Sequence, residues 1–270
     1  MDSIGSTNKH YKNISGISTT VLIIVIQAYL MLILGGLDIF NFSQIGNEAL
    51  RYVLQILIQL VAFSFIYSMI YTVVRAIYCH KWIRENRNCF IRGMWLHIHV
   101  KSEIRIGTVE IKQNFNTIQA NGHNICPKIG DNLPEHRETT WHYIMGMVKD
   151  EDENARDFIG CYTAGDVTNQ VSKDGIHTLR ITETDKAGYA RTMVGGFRDT
   201  FKIDSNGVYD VGNHAGNLYF FKLSDKCKKY LYDENGFNYS RLCDMHELEE
   251  FSNEPYVIEL RRIIASQDKA

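Results

Sequence analysis

No two of the six cysteines stand in a C-x-x-C pair or in another spacing that ligates a metal or shuttles a disulfide. Cys79, Cys89, Cys126, Cys161, Cys227 and Cys243 read as scattered reduced thiols, as in a reducing compartment. Signatures of catalysis are equally scarce. "GCYTAG", Gly160 to Gly165, has the glycine spacing of a phosphate-binding loop, but Asp166 stands where a lysine must meet the phosphates. "HELEE", His246 to Glu250, lacks the second histidine of a helical zinc site. There is no G-x-S-x-G and no Gly-rich dinucleotide turn between a strand and a helix. The expectation is a protein that is not an enzyme and carries no cofactor. His97 and His99 alternate on one strand, and His142 and His177 sit on other predicted strands, so a metal-dependent enzyme built on that face is a third reading. Histidines on one strand face are more often hydrogen-bonded or solvated, and no metal is expected.

Charge is missing from two long runs. From Asn13 to Leu37 no residue is charged and "VLIIVIQAYLMLIL" is nearly all aliphatic; "YVLQILIQLVAFSFIYSMIYTVV", Tyr52 to Val74, is uncharged between Arg51 and Arg75. At about 1.5 Å per residue, roughly 20 apolar residues cross the hydrocarbon of a bilayer. A cleaved signal peptide is the competing reading of the first run, but no small-x-small cleavage site follows it. A core helix of a soluble domain is the competing reading of the second. Lys9 and Lys12 precede the pair and Arg75, Lys81, Arg84, Arg87 and Arg92 follow it, while the intervening loop offers Arg51 against Asp38 and Glu48. The positive-inside rule then places both termini of a multi-pass membrane protein in the cytoplasm and the loop from Asp38 to Arg51 outside. The net charge of −2 averages this basic junction against acidic loops and says little about partners.

After Asn88 the pattern changes to short alternating segments divided by Gly, Asn and Asp. Candidate strands run 91–100, 104–113, 115–121, 140–148, 158–165, 176–183, 189–197 and 217–223. Eight strands without helices between them suit an antiparallel up-and-down barrel, lipocalin-like, because closure removes both exposed edges; a sandwich is the alternative. Gly93-Met94-Trp95, Gly160-Cys161-Tyr162 and Gly195-Gly196-Phe197 each place a glycine two residues before an aromatic, as a tightly coiled barrel needs. The acidic run 150–157 reads as a solvated hairpin loop. Past Lys226, "YSRLCDMHELEEF" has helical spacing, and "PYVIELRRII" suits a strand or a helix.

The expected fold is thus a membrane-anchored all-β protein. It divides into a cytoplasmic tail (1–12), a two-helix transmembrane hairpin (13–75), a basic juxtamembrane linker (76–90) and a cytosolic ligand-binding barrel (91–270) whose last segment is unassigned. Trp95, Trp141, Tyr143, Tyr162, Arg180, Tyr189, Arg191 and Arg198 supply cations and aromatics on the strands. Arginine clamps phosphate and aromatic rings stack on bases, so such a set suits a nucleotide with two phosphates. The competing reading has the aromatics filling the barrel and the arginines outside it. Gln55 and Gln59 share one face of the second apolar run, where amides seek partners on another protomer or within the hairpin.

Two apolar helices, a basic junction and "RGMWLHIHVKSEIRIGTVEIKQNFNTIQANG" together resemble the SMODS-associated two-transmembrane, β-strand-rich effectors of bacterial CBASS anti-phage systems. The resemblance spans nearly the whole chain. It is most specific at Gly93-x-Trp95 and at "GTVEIKQNFNTIQA", Gly107 to Ala120, with lipocalin-like barrels sharing the Gly-x-Trp start. It implies a barrel that binds a cyclic dinucleotide made on infection, and helices that then homo-oligomerise and break the inner membrane in an abortive response. The implied partners are that ligand, the lipid bilayer and further copies of the chain, with no nucleic acid polymer. The runner-up is a membrane-tethered, lipocalin-like binding protein for an apolar small molecule.

Overall fold

The computed structural model describes residues 2–34, 47–101, 104–115, 117–125, 138–152, 155–166, 172–203, 209–210, 214–234 and 236–267. The chain forms two compact units, Met1–Glu85 and Asn86–Ala270. The segment from residue 35 to 46, which holds most of the loop between the apolar runs, and Cys126 lie outside the described residues.

The first unit is a pair of helices, α1 (Asp2–Leu34) and α2 (Glu48–Glu85). Both contain stretches long and apolar enough to cross a membrane, Lys9–Leu32 and Glu48–Glu85, with mean hydropathies of 1.9 and 2.1. Their large side chains face outward: Met31 is 74% exposed, Val61 69% and Phe65 67%. That is the reverse of a helix packed into a soluble core, whose apolar stripe is covered. The helices meet through Tyr29, which packs edge-on against Phe63 and whose hydroxyl accepts from Gln59 Nε2 at 3.4 Å. The second helix also runs through 76–85, most of the stretch expected to be linker, since Ala76 to Glu85 contains neither Gly nor Pro to stop it.

The second unit is a closed antiparallel barrel of eight strands. Seven follow in chain order: β1 (Gly93–Val100), β2 (Ile104–Asn114), β3 (Thr117–Ile125), β4 (Glu138–Asp152), β5 (Ala155–Asp166), β6 (Ser172–Thr184) and β7 (Ala190–Ile203). A two-residue strand, β8 (Tyr209–Asp210), pairs with the end of β7. The last stave, β9 (His214–Lys222), pairs with β7 on one side and with β1 on the other, closing the ring through Trp95↔Lys222 to Val100↔Asn217. Each expected strand appears, most of them longer at one or both ends. The acidic run becomes part of β4 and β5, because Lys149↔Asp157 and Asp150↔Arg156 continue the ladder past the expected loop.

Side-chain alternation splits the barrel into an interior and an outer face. Trp95, Val109, Ile111, Trp141, Phe158, Leu179 and Phe220 fill the interior. On β1 the alternate residues Leu96 and Ile98 are also buried, although they point outward. They are covered by the C-terminal helices α3 (Asp225–Leu231), α4 (Tyr239–Asp244) and α5 (Pro255–Gln267), through Leu231, Leu242, Tyr256, Val257 and Leu260. This explains why "CFIRGMWLHIHV" is apolar on both faces. Ser224 caps α3 by accepting from Cys227 N, and Asn238 caps α4 by accepting from Arg241 N. The segment with alternatives open after Pro255 is helical. Between α3 and α4, β10 (Tyr232–Asp233) and β11 (Gly236–Phe237) form a small hairpin.

The glycine–aromatic pattern works across strands and not along them. A Cβ on Gly122 would lie 2.0 Å from the Trp141 ring, its register partner on β4; one on Gly175 would lie 2.4 Å from the Tyr162 hydroxyl, its partner on β5. Each large ring therefore lies over a neighbouring strand's glycine, so a narrow barrel holds several aromatics.

Candidate ligand site at the barrel mouth

One end of the barrel is plugged. The turn Arg87–Cys89 leads to Ile91, and buried Gln113 pins this lead-in: its Oε1 accepts from Ile91 N at 2.7 Å, and its Nε2 donates to Cys89 O and Phe115 O. Trp95 Nε1 donates to Ile91 O at 2.7 Å, and Lys222 Nζ lies 4.9 Å from the Trp95 ring centroid while donating to Arg92 O. Burial pulls the Lys222 ammonium down to about 8. Tyr189 belongs to this end too, packed on Phe90 with the Arg87 guanidinium 5.9 Å from its ring.

The other end opens into a small, partly open cavity of about 100 Å³. Ends of seven strands build it. Its rim carries Lys101, Arg105 and Lys173, its walls Trp141, Tyr162 and Phe197, and its floor His99, Asn124 and His177. Asp199 supplies the carboxylate of the lining, 3.7 Å from Lys173 Nζ. Arg105 Nη1 donates to Thr139 Oγ1 at 3.3 Å, which holds the guanidinium at the rim.

Below the rim runs a chain of buried polar contacts. Asn124 Oδ1 accepts from Trp141 Nε1 at 2.9 Å and meets His97 Nε2 at 2.5 Å. Because the indole N–H only donates, the shared atom is an oxygen, so His97 Nε2 carries the proton and Nδ1 has no partner. Tyr143 hydroxyl pairs with His177 Nδ1 at 2.8 Å, leaving His177 Nε2 without one, and His99 Nε2 is likewise unpartnered. The His99 ring lies flat on Phe197, centroids 4.4 Å apart and planes within 3°. Burial holds all three imidazoles in the neutral form, His97 down to about 4, and His99 and His177 well below their ordinary range with their mutual charges adding to the effect.

The residues expected to form the site divide into four groups. Trp141 and Tyr162 line the cavity, and Tyr143 lies beneath it as a hydrogen-bond partner of His177. Trp95 and Tyr189 belong to the plugged end. Arg180, Arg191 and Arg198 do not line this cavity, and all three are exposed. On β6, Lys173, Gly175, His177 and Leu179 share inward parity, so Arg180 points out, where it pairs with Asp157 at 2.8 Å. On β7, Arg198 lies between inward Phe197 and Asp199 and so points out, while Arg191 is exposed at a register shift between β6 and β7. Lys101, Arg105 and Lys173, missed from sequence, take the place of those cations. The signal for Lys173 was its even spacing from His177 on a strand whose glycine faces inward.

His97, His99 and His177 do share the interior, whereas His142 is exposed on the outside. Among the described residues, no group of three or more His, Cys, Asp or Glu side chains is arranged to hold a metal ion. Gln59 is half-buried against Tyr29, with half-buried Gln55 one turn away on the same face. No protein-family model, no curated protein and no solved structure matches this chain.

Proposed function

We propose that the barrel is a cytosolic sensor for a cyclic dinucleotide, and that ligand binding promotes assembly of α1 and α2 in a bacterial inner membrane, disrupting it in an abortive anti-phage response. The observation that carries this reading is the barrel mouth, where three cations stand beside three aromatic rings. Guanidinium and ammonium groups bind phosphates, and aromatic faces stack on bases of any identity. The resemblance of the Gly93-to-Ala120 segment to CBASS effectors supports the same assignment, as do apolar helices whose side chains face outward.

The reading assigns binding and assembly, not catalysis. A ligand that prefers the assembled state shifts the population toward it by no more than its difference in affinity. Helices confined to a membrane plane need little further bias to cluster. With both termini cytoplasmic, as the flanking cations imply, the sensor faces the compartment in which nucleotides are made. An apolar cargo has less to bind here, since rings and aliphatic side chains fill the interior and the open end is rimmed by charge.

The test is a titration of the full chain, in lipid nanodiscs, with cyclic dinucleotides, cyclic trinucleotides and fatty acids. Saturable binding of a cyclic dinucleotide, weakened about tenfold by Arg105→Ala or Lys173→Ala, is the expected result. Preferential binding of a fatty acid would replace this reading with that of a tethered carrier.

A further inference from the structure

We propose that the His99–His177 floor is a base-reading subsite, which takes the hydrogen-bonding edge of one nucleobase while the phosphates remain at the rim. This inference rests on the cyclic-dinucleotide reading and adds to it an orientation and a chemical basis for selectivity.

The cavity is graded from charged to neutral. Its rim presents Lys101, Arg105 and Lys173, whereas its floor presents two imidazoles and the Asn124 amide. A phosphate gains most from the rim and little from uncharged groups below it. Neutral imidazole offers one donor and one acceptor per ring, the complement of a nucleobase edge, which also alternates donors and acceptors. Burial keeps the floor in this uncharged state, which removes the attraction that would draw a phosphate down.

Two separate observations point to a ligand at the floor. The first is hydrogen-bonding capacity left open in a buried place: His99 Nε2 and His177 Nε2 both lack partners, although their rings line the cavity. Buried polar groups are nearly always satisfied, so two open ring nitrogens on one cavity floor call for a partner, which a ligand's donors and acceptors can supply. The second is that both rings are already fixed in orientation. Phe197 stacks against His99 and the Tyr143 hydroxyl holds His177 Nδ1, so two groups 5.7 Å apart by ring centroid are set before any ligand binds. Trp141, packed 5.1 Å from His177, provides an aromatic wall for the same base.

The experiment measures two probes on the full chain in nanodiscs: the cyclic dinucleotide bound most tightly among cyclic di-AMP, cyclic di-GMP and cyclic di-UMP, and inorganic pyrophosphate. His99→Phe keeps a ring on Phe197 and removes an unpartnered nitrogen, so the variant should fold with at least the parent's thermal midpoint. Its affinity for the dinucleotide should fall about tenfold, with pyrophosphate affinity unchanged. In the parent, the ¹⁵N resonance of His177 Nε2 should move on saturation with the dinucleotide and stay in place with pyrophosphate. Unchanged dinucleotide affinity in His99→Phe, an equal loss for both probes, or a static His177 resonance at saturation would each overturn the subsite while leaving the sensor reading intact. A parent chain that binds pyrophosphate or nothing, and none of the cyclic dinucleotides, would overturn both.

Discussion

Tyr162 donates its hydroxyl to Asp199 Oδ1 at 2.5 Å, from β5 to β7 across the width of β6. Burial and the adjacent carboxylate push the phenol well above its ordinary range, so it stays a donor at every physiological pH. The bond fixes one aromatic wall of the cavity and sets a negative charge among its cations. Asp199→Asn keeps an acceptor for Tyr162 and removes the charge. Affinity for an anionic ligand should rise about threefold to tenfold, read by calorimetric titration; a fall would mean that Asp199 orders Lys173 for binding more than it repels the ligand.

The two sets of cations separate by mutation. Arg180→Ala and Arg191→Ala, exposed and away from the cavity, should leave ligand affinity within about twofold of the parent, while Arg105→Ala lowers it about tenfold and flattens its dependence on salt. Binding measured at low and at physiological ionic strength checks both halves of this statement. Loss of affinity in the outer variants would place the ligand on the outside of the barrel.

Gly122 and Gly165 are both strand glycines in different surroundings. A methyl on Gly122 meets the Trp141 ring at 2.0 Å, whereas one on Gly165 meets nothing within 4 Å. Gly122→Ala should cost about 1–3 kcal/mol and change the near-ultraviolet circular dichroism as the indole moves. Gly165→Ala should be neutral or stabilise by about 0.4–1 kcal/mol in urea unfolding.

Acid should destabilise the barrel through its histidines. Unfolded, an imidazole takes a proton near 6.5; folded, His97 does so only at about 4. Between those values the unfolded state binds more protons, so stability is fully present above about 6.5 and falls as the pH drops toward 4. His97 alone accounts for roughly 3 kcal/mol of that loss, and His99 and His177 act in the same direction. Urea midpoints at pH 7 and pH 4.5 should differ accordingly, and His97→Gln should shrink the difference; equal midpoints in the parent would mean that these rings are not held neutral.

In the helical unit, Gln59 and Gln55 share a face, and Gln59 has Tyr29 as its partner within the hairpin. Replacing both glutamines with leucine removes amides whose interhelical bonds contribute about 0.6–2 kcal/mol each. Cells given the activating nucleotide should depolarise more slowly with this variant than with the parent at equal membrane abundance, while ligand binding is unchanged. Equal rates would confine those amides to the Tyr29 contact.

Local pattern was enough to locate the two apolar helices and all eight staves, since uninterrupted hydrophobicity over a bilayer's thickness and strict alternation between turn residues are properties of contiguous sequence. It also showed aromatics and glycines recurring together. Which cations line the cavity was settled only by register: one residue of strand parity separates inward Lys173, Gly175 and His177 from outward Arg180, and no local signal fixes that parity until the neighbouring strands are paired. The spacing of "YSRLCDMHELEEF" announced the helix at Tyr239–Asp244, but Asp225–Leu231 and Pro255–Gln267 were hidden for a related reason. Their short amphipathic turns are stabilised by the outer face of β1, β2 and β9, through residues such as Ile98, Ile106 and Phe221, far from them in sequence. The histidine floor likewise exists only in the closed barrel, which brings rings from β1 and β6, separated in the ring by β7 and β9, to within 5.7 Å of each other.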